Sequence, residues 1–178
     1  MNTLDFEQLM TTCDLICKLL TTVRVGKYDT KPTLVSEQFH YELLKYAVFL
    51  ADADGEITEE ELAYIRKKLK ITAKLSELKA FKRSENIPGN FLREVPVVIG
   101  YAVKADENFL VQADPFSNQK AQILVDAYRA FGARFLALFE RETTMRASQA
   151  FTTYIQYLES YLREHKVYYH EEQKLFKF

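Results

Sequence analysis

The residues best suited to chemistry lie in one short acidic segment. Six carboxylates fall within residues 52–61, around Gly55. Oxygen ligands that converge around a glycine turn are what a hard cation such as Ca²⁺ requires. None of the glutamates at 59–61 has a basic residue four positions ahead, where it would form a helical ion pair. The segment is therefore a candidate site for a divalent cation, with Ca²⁺ favoured.

The segment differs from an EF-hand calcium loop at its first ligand. With Gly55 at loop position 6, Glu61 falls on the bidentate position 12. Asp52 and Asp54 then fall on positions 3 and 5. Leu50 stands where the first aspartate ligand belongs. A true EF-hand is therefore disfavoured.

The same residues also suit the junction between two helices. Gly55 is typical of a helix end, because glycine adopts the left-handed conformation easily. Thr58 and Glu61 have the T-x-x-E spacing of a capping box. Acidic runs are usually solvated faces. At the level of sequence, both interpretations stay open: a cation site and a helix–turn–helix.

The stretch Ala-Asp-Ala-Asp-Gly-Glu-Ile, followed by Thr-Glu-Glu-Glu, resembles the TerB-like family of tellurite-resistance proteins. The same motif occurs in some DnaJ-like co-chaperones. The resemblance, strongest over residues 36–140, implies an all-helical fold with two related halves, metal-binding acidic residues and a stress-response or adaptor role. The candidate metal ligands are Asp52, Asp54, Glu56, Glu60, Glu61 and Asp106.

The second half departs from the family pattern. Residues 101–106 repeat residues 46–52 loosely, and both segments end in Ala-Asp. The Asp-Gly pair and the acidic helix start are missing after Asp106. A symmetric pair of metal sites is therefore not expected, and the repeat itself is a hypothesis.

Apolar residues with helical spacing dominate the chain and predict an all-α bundle of about seven helices. The predicted helices include residues 4–24, 36–52 and 91–104, the last with a kink or a later start at Pro96. Other helices are expected to begin after caps at Thr58, Thr72 and Asp114. One helical domain is expected over residues 1–166, followed by an aromatic tail at 167–178.

Composition limits the class of protein. The 178 residues are 48% apolar and 28% charged, with a net charge of −1. These values exclude a disordered chain and a strongly basic nucleic-acid binder. With no long apolar run and no signal peptide, we expect a cytoplasmic protein. Cys13 and Cys17 are expected to be two buried, reduced thiols.

Recognised catalytic motifs are absent from the sequence. Glu37 and His40 have the Glu-x-x-His spacing of di-iron bundles, but those sites need a second copy and two further glutamates. There is no nucleophile elbow and no glycine loop for phosphate. We therefore expect a non-enzymatic protein, with an unrecognised enzyme as a minor alternative.

A strongly basic segment follows the acidic one. Residues 66–83 hold eight cations and a single carboxylate, Glu77. Such a helix pair suits an anionic membrane surface or simple charge balance. Nucleic acid is disfavoured, because the segment lacks interleaved aromatic residues for stacking on bases.

The expected function is a TerB-like helical module that binds a divalent cation and acts as an adaptor. The alternative is a metal-free protein-interaction module that uses the basic helix pair 66–83 or the tail aromatics. A protein partner is expected, and a membrane surface is a second option for residues 66–83. The tail aromatics are Tyr168, Tyr169, Phe176 and Phe178.

Overall fold

A computed structural model describes residues 5–22, 35–87, 91, 94–108, 114–138 and 144–165. Seven α-helices and no strand are present in these ranges, so the all-α prediction is confirmed. The helices are α1 (Phe6–Thr22), α2 (Val35–Ala51), α3 (Glu59–Leu69), α4 (Leu75–Ser84), α5 (Val97–Glu107), α6 (Lys120–Leu138) and α7 (Thr144–Glu164).

The helices form two compact units. The first unit comprises Met1–Phe39, Val95–Ala127 and Tyr157–Phe178, and the second comprises His40–Glu94 and Tyr128–Gln156. Helices α2, α6 and α7 therefore contribute residues to both units. The single domain expected over residues 1–166 stays a prediction, and the aromatic tail lies outside the described residues.

The first unit buries the apolar face of α1, which packs on α5. Cys13 and Cys17 are fully buried free thiols, as expected. Burial raises the pKa of Cys13 well above its ordinary value, and the neighbouring Cys17 and Asp14 add to the effect. Because the thiolate is the reactive form, Cys13 is chemically inert in this position.

The second unit is built around an aromatic cluster on Tyr46 of α2. The rings of Phe91 and Tyr154 stack on Tyr46 with centroids 6.0 and 5.3 Å away, and Tyr128 lies 5.3 Å away. The hydroxyl of Tyr46 is buried and has no hydrogen-bond partner among the described residues. Burial raises the pKa of Tyr46, so the phenol stays neutral.

The Tyr46 side chain also packs closely against Gly132 of α6. A Cβ atom added to Gly132 would collide with the Tyr46 hydroxyl and with the ring of Phe151. Glycine is therefore required here for a close approach between α6 and its neighbours. Gly100 in α5 is different, because its nearest obstacle is the Tyr161 hydroxyl at 3.9 Å.

Three helix starts test the predicted caps. Helix α3 follows Thr58 with the predicted capping box. The prediction of Thr72 as the cap of α4 is wrong: the cap is Lys74, whose N–H donates to Glu77 at 2.6 Å. Helix α5 begins after Pro96, which confirms the later start.

The prediction that a helix begins directly after a cap at Asp114 is also wrong. Asp114 accepts hydrogen bonds from the N–H groups of Phe116 and Asn118, which closes a turn. Helix α6 begins only at Lys120. Leu138, the last residue of α6, is 62% exposed.

None of the helices in the described ranges is long and apolar enough to cross a membrane.

A matched pair of alanine substitutions tests the close approach at Gly132. Gly132→Ala should destabilise the protein by about 1–3 kcal/mol, because the packed rings around Tyr46 leave no room for a methyl group. Gly100→Ala should be neutral or stabilising by up to about 1 kcal/mol, because alanine favours the helix. Chemical denaturation measures both, and equal effects would contradict the packing described here.

Candidate functional site

The acidic segment forms the tight connection between α2 and α3. Helix α2 ends at Ala51, and the N–H of Gly55 donates to the carbonyl oxygen of Asp52 at 2.9 Å. Gly55 has φ +100°, a left-handed conformation that favours glycine. Ile57 is buried and anchors the connection before Thr58 begins α3. The predicted helix–turn–helix is confirmed.

A reciprocal capping box uses the carboxylate of Glu61. Its Oε2 accepts hydrogen bonds from the Thr58 N–H at 2.8 Å and from the Thr58 hydroxyl at 3.0 Å. The Thr58 hydroxyl oxygen accepts in turn from the Glu61 N–H at 3.2 Å. This Glu61 oxygen therefore already accepts the hydrogen bonds that cap the start of α3.

Asp54 and Asp52 also have partners inside the second unit. Asp54 Oδ1 accepts from the Glu56 N–H at 3.1 Å, which stabilises the turn. Asp52 Oδ2 forms an ion pair with Lys82 Nζ of α4 at 2.5 Å, and the Asp52 side chain is only 8% exposed. Helix α4 therefore supplies the cation that pairs with Asp52.

The carboxylates of this turn influence one another. Burial raises the pKa of Glu61 above its ordinary value, against the opposing hydrogen bonds from Thr58. The negative charges of Asp54 and Asp52 raise it further. The three carboxyl groups are thus close enough to repel, and a cation near them would relieve the repulsion.

The six candidate ligands are divided between the two units. Five lie in the α2–α3 connection or the first turn of α3, where Glu56 and Glu60 are exposed. Asp106 lies at the end of α5, in the first unit. In the ranges the structure describes, no group of three or more histidine, cysteine, aspartate or glutamate residues is arranged to hold a metal ion.

Asp106 instead caps the start of helix α6 with its side chain. Its Oδ2 accepts from the Ala121 N–H at 2.9 Å, and its Oδ1 accepts more weakly from the Lys120 N–H at 3.4 Å. The end of α5 therefore caps the first turn of α6, where the helix dipole favours a negative charge. This explains why α6 begins at Lys120 rather than near Asp114.

Lys120 is a buried cation between two carboxylates. Its Nζ lies 2.7 Å from Asp106 Oδ1 and also contacts Asp114 Oδ2, while its side chain is fully buried. Burial raises the pKa of Asp106, although Ala121 and Lys120 oppose the rise. For Asp114 the same burial is outweighed by hydrogen bonds from Lys120 and the neighbouring backbone, so its pKa is lowered.

Sequence reasoning missed this cluster, because a lysine at the start of a helix normally signals solvent exposure. The sequence held one weak indication of this cluster. Asp106 was singled out for its likeness to Asp52, and each of these two aspartates proves to be paired with a lysine.

The basic segment forms an exposed surface on α3, α4 and the short connection between them. Arg66 holds this connection in place, because its Nε donates to the Ala73 carbonyl oxygen at 2.6 Å. We call the exposed cations of this segment the basic surface: Lys67, Lys70, Lys74, Lys79 and Arg83.

One feature distinguishes these cations from Lys82 of the same segment. Lys82 is paired with Asp52, whereas none of the basic surface forms an ion pair with another residue that the structure describes. Lys70 also adopts a left-handed conformation with φ 55° at the end of α3. Glycine would be less strained there by about 1 kcal/mol. A lysine thus occupies a position where the backbone favours glycine.

Comparisons with known proteins provide no family for this chain. No protein-family model matches it, and no curated protein or solved structure matches it.

Replacing Lys120 tests the buried ion cluster. Lys120→Met should destabilise the protein by about 3–5 kcal/mol near pH 7, because it leaves two buried carboxylates without their cation. Their folded pKa values then rise above the unfolded values. Such carboxyl groups destabilise the native state only above the raised pKa, so the difference from wild type should shrink as the pH falls towards about 4.

Lys104→Met is the matched control, because Lys104 is an exposed cation of the same unit. It should change stability by no more than about 0.5 kcal/mol. Thermal melts across the pH range measure both variants. A loss in Lys120→Met that stays constant with pH would contradict the proposed electrostatic cause.

Proposed function

We propose that the chain is a non-enzymatic helical binding module that docks onto an anionic partner through its basic surface. The observation that supports this most directly is the set of five exposed cations on α3, α4 and the connection between them, without ion pairs among the described residues. Charge balance alone would favour pairing with the six nearby carboxylates. Among the residues that the structure describes, Lys82 pairs with one of these carboxylates, Asp52, and none of the five cations of the basic surface pairs with any of them.

The acidic turn has a positioning role in this proposal. It joins α2 to α3, and the Asp52–Lys82 pair connects it to α4. The two helices that carry the basic surface are therefore fixed by the acidic segment that precedes them. Membership of the TerB-like family, with its stress-response role, stays a prediction from the resemblance, as does the cytoplasmic location.

A divalent cation at the acidic turn is the second candidate. The supporting observation is that Asp52, Asp54 and Glu61 lie close together in the sequence around one turn, where the negative charges of Asp54 and Asp52 add to the effect of burial in raising the pKa of Glu61. A bound Ca²⁺ would relieve this repulsion, with Asp52, Asp54 and Glu61 as ligands and Glu56 and Glu60 beside them. Lys82 would have to release Asp52 for the ion to bind.

Salt-dependent retention on heparin, used as a general polyanion, tests the first candidate. The triple variant Lys67→Gln, Lys79→Gln, Arg83→Gln should elute at clearly lower salt than wild type, because it loses three exposed cations of the basic surface.

The matched control removes three exposed cations of the first unit: Lys18→Gln, Lys104→Gln, Arg163→Gln. It has the same net charge as the first triple variant and should elute with wild type. Equal shifts for the two variants would mean that net charge alone governs binding, and would refute a defined basic surface.

Thermal melts of chelator-treated protein test the second candidate. Ca²⁺ at about 100 times its dissociation constant should add roughly 2.7 kcal/mol, or about 5–10 °C in the unfolding midpoint. Lys82→Met should respond at lower Ca²⁺ than wild type, because Asp52 loses its competing cation. Asp52→Asn with Asp54→Asn should not respond. If neither wild type nor Lys82→Met responds, there is no cation site at this turn.

A further inference from the structure

We propose that the partner of the basic surface is the anionic headgroup layer of a membrane, on which the protein lies without crossing it. This inference rests on the proposed function and names the chemistry of the partner. It follows from the types of cation, the lack of apolar anchors and the spacing of opposite charges along α3.

The cations of the basic surface suit a diffuse array of charges. Four of the five are lysines, and Arg83 is the exception. Lysine is a compact point charge on a flexible stem, whereas arginine provides the planar fork that recognises a single carboxylate or phosphate in two places. A fluid layer of phospholipid headgroups requires only point charges such as lysine, since its own charges can rearrange around the protein.

Apolar anchors are absent from the basic segment. All of residues 66–83 are described, and their larger apolar side chains are buried or half-buried. Protein–protein interfaces depend on buried aromatic or arginine anchors and are depleted in lysine. Single-stranded nucleic acid needs exposed aromatic residues for stacking, and Phe81 is packed edge-on against Tyr41. A headgroup layer requires neither buried anchors nor exposed aromatic residues.

Helix α4 has the two-sided character of a helix at a membrane surface. Leu78 is buried and Leu75 is half-buried, so both face the protein interior. Lys79 and Arg83 lie one turn apart on the exposed side. With Lys67, Lys70 and Lys74 they make a cluster of five cations, and clusters of four to eight basic residues are typical of segments that bind anionic lipids.

The acidic residues of α3 are too far away to cancel this attraction. Glu60 and Lys67 are separated by about 10 Å along the helix axis, and Glu60 and Lys70 by about 15 Å. The Debye length at physiological ionic strength is about 8 Å. The basic end of α3 can therefore approach an anionic layer while the acidic end stays screened by salt.

Vesicle flotation tests the proposal on the full chain. Wild type should float with vesicles of phosphatidylcholine and phosphatidylserine in a two-to-one ratio, and not with phosphatidylcholine alone. Binding should disappear in about 1 M salt. The triple variant Lys67→Gln, Lys79→Gln, Arg83→Gln should bind roughly 100-fold more weakly, at about 1 kcal/mol per cation lost. The triple control in the first unit should bind like wild type.

Lys70→Gly separates binding from stability. Glycine relieves the left-handed backbone strain, so the unfolding midpoint should equal or exceed that of wild type. Loss of one cation should still weaken vesicle binding about fivefold. A weakened variant that is no less stable cannot be explained by unfolding.

The possible failures are distinguishable. Retention on heparin without flotation would refute the membrane partner and leave the basic surface standing. Tighter binding to a duplex oligonucleotide than to the anionic vesicles, with the same sensitive residues, would assign the surface to nucleic acid instead. Failure in both heparin and vesicle assays would refute the membrane partner and the proposed function together.

Discussion

Buried carboxylates at helix ends must be matched by a cation from a later helix, and both units depend on this constraint. In the second unit, Asp52 at the end of α2 is paired with Lys82 of α4. In the first, Asp106 at the end of α5 is paired with Lys120 at the start of α6. A carboxylate at a helix C-terminus opposes the helix dipole, so each position would be unfavourable without its partner. These pairs connect the elements within each unit.

Once these pairs are formed, the remaining charges separate along α3. Its first turn carries Glu59–Glu61, and its last turn carries Arg66–Lys68. Each sign of charge lies at the helix end where the dipole favours it, so the separation stabilises α3 itself. The same separation leaves an exposed basic surface beyond the acidic turn. A single arrangement of charge thus serves folding and provides the surface from which we infer a membrane partner.

Local signals accounted for the predictions that succeeded. The capping box at Thr58, the end of α2 before Gly55 and the buried stripe of α1 each depend on residues within one or two turns. The predicted starts at Thr72 and Asp114 failed because other residues captured the relevant hydrogen bonds. Whether the acidic residues can bind a metal ion also depends on partners distant in sequence, because Lys82, which pairs with Asp52, lies about 30 residues away.

Local residue patterns establish that this chain is helical, where most of its helices lie, and that an acidic segment adjoins a basic one. Periodicity and caps are short-range properties, so they can be deduced without a fold. Which charges are neutralised depends on how the helices pack. This packing buries Lys120 between two carboxylates, and it requires glycine at position 132 against Tyr46. These outcomes depend on desolvation and close packing between residues distant in sequence, for which no local pattern exists.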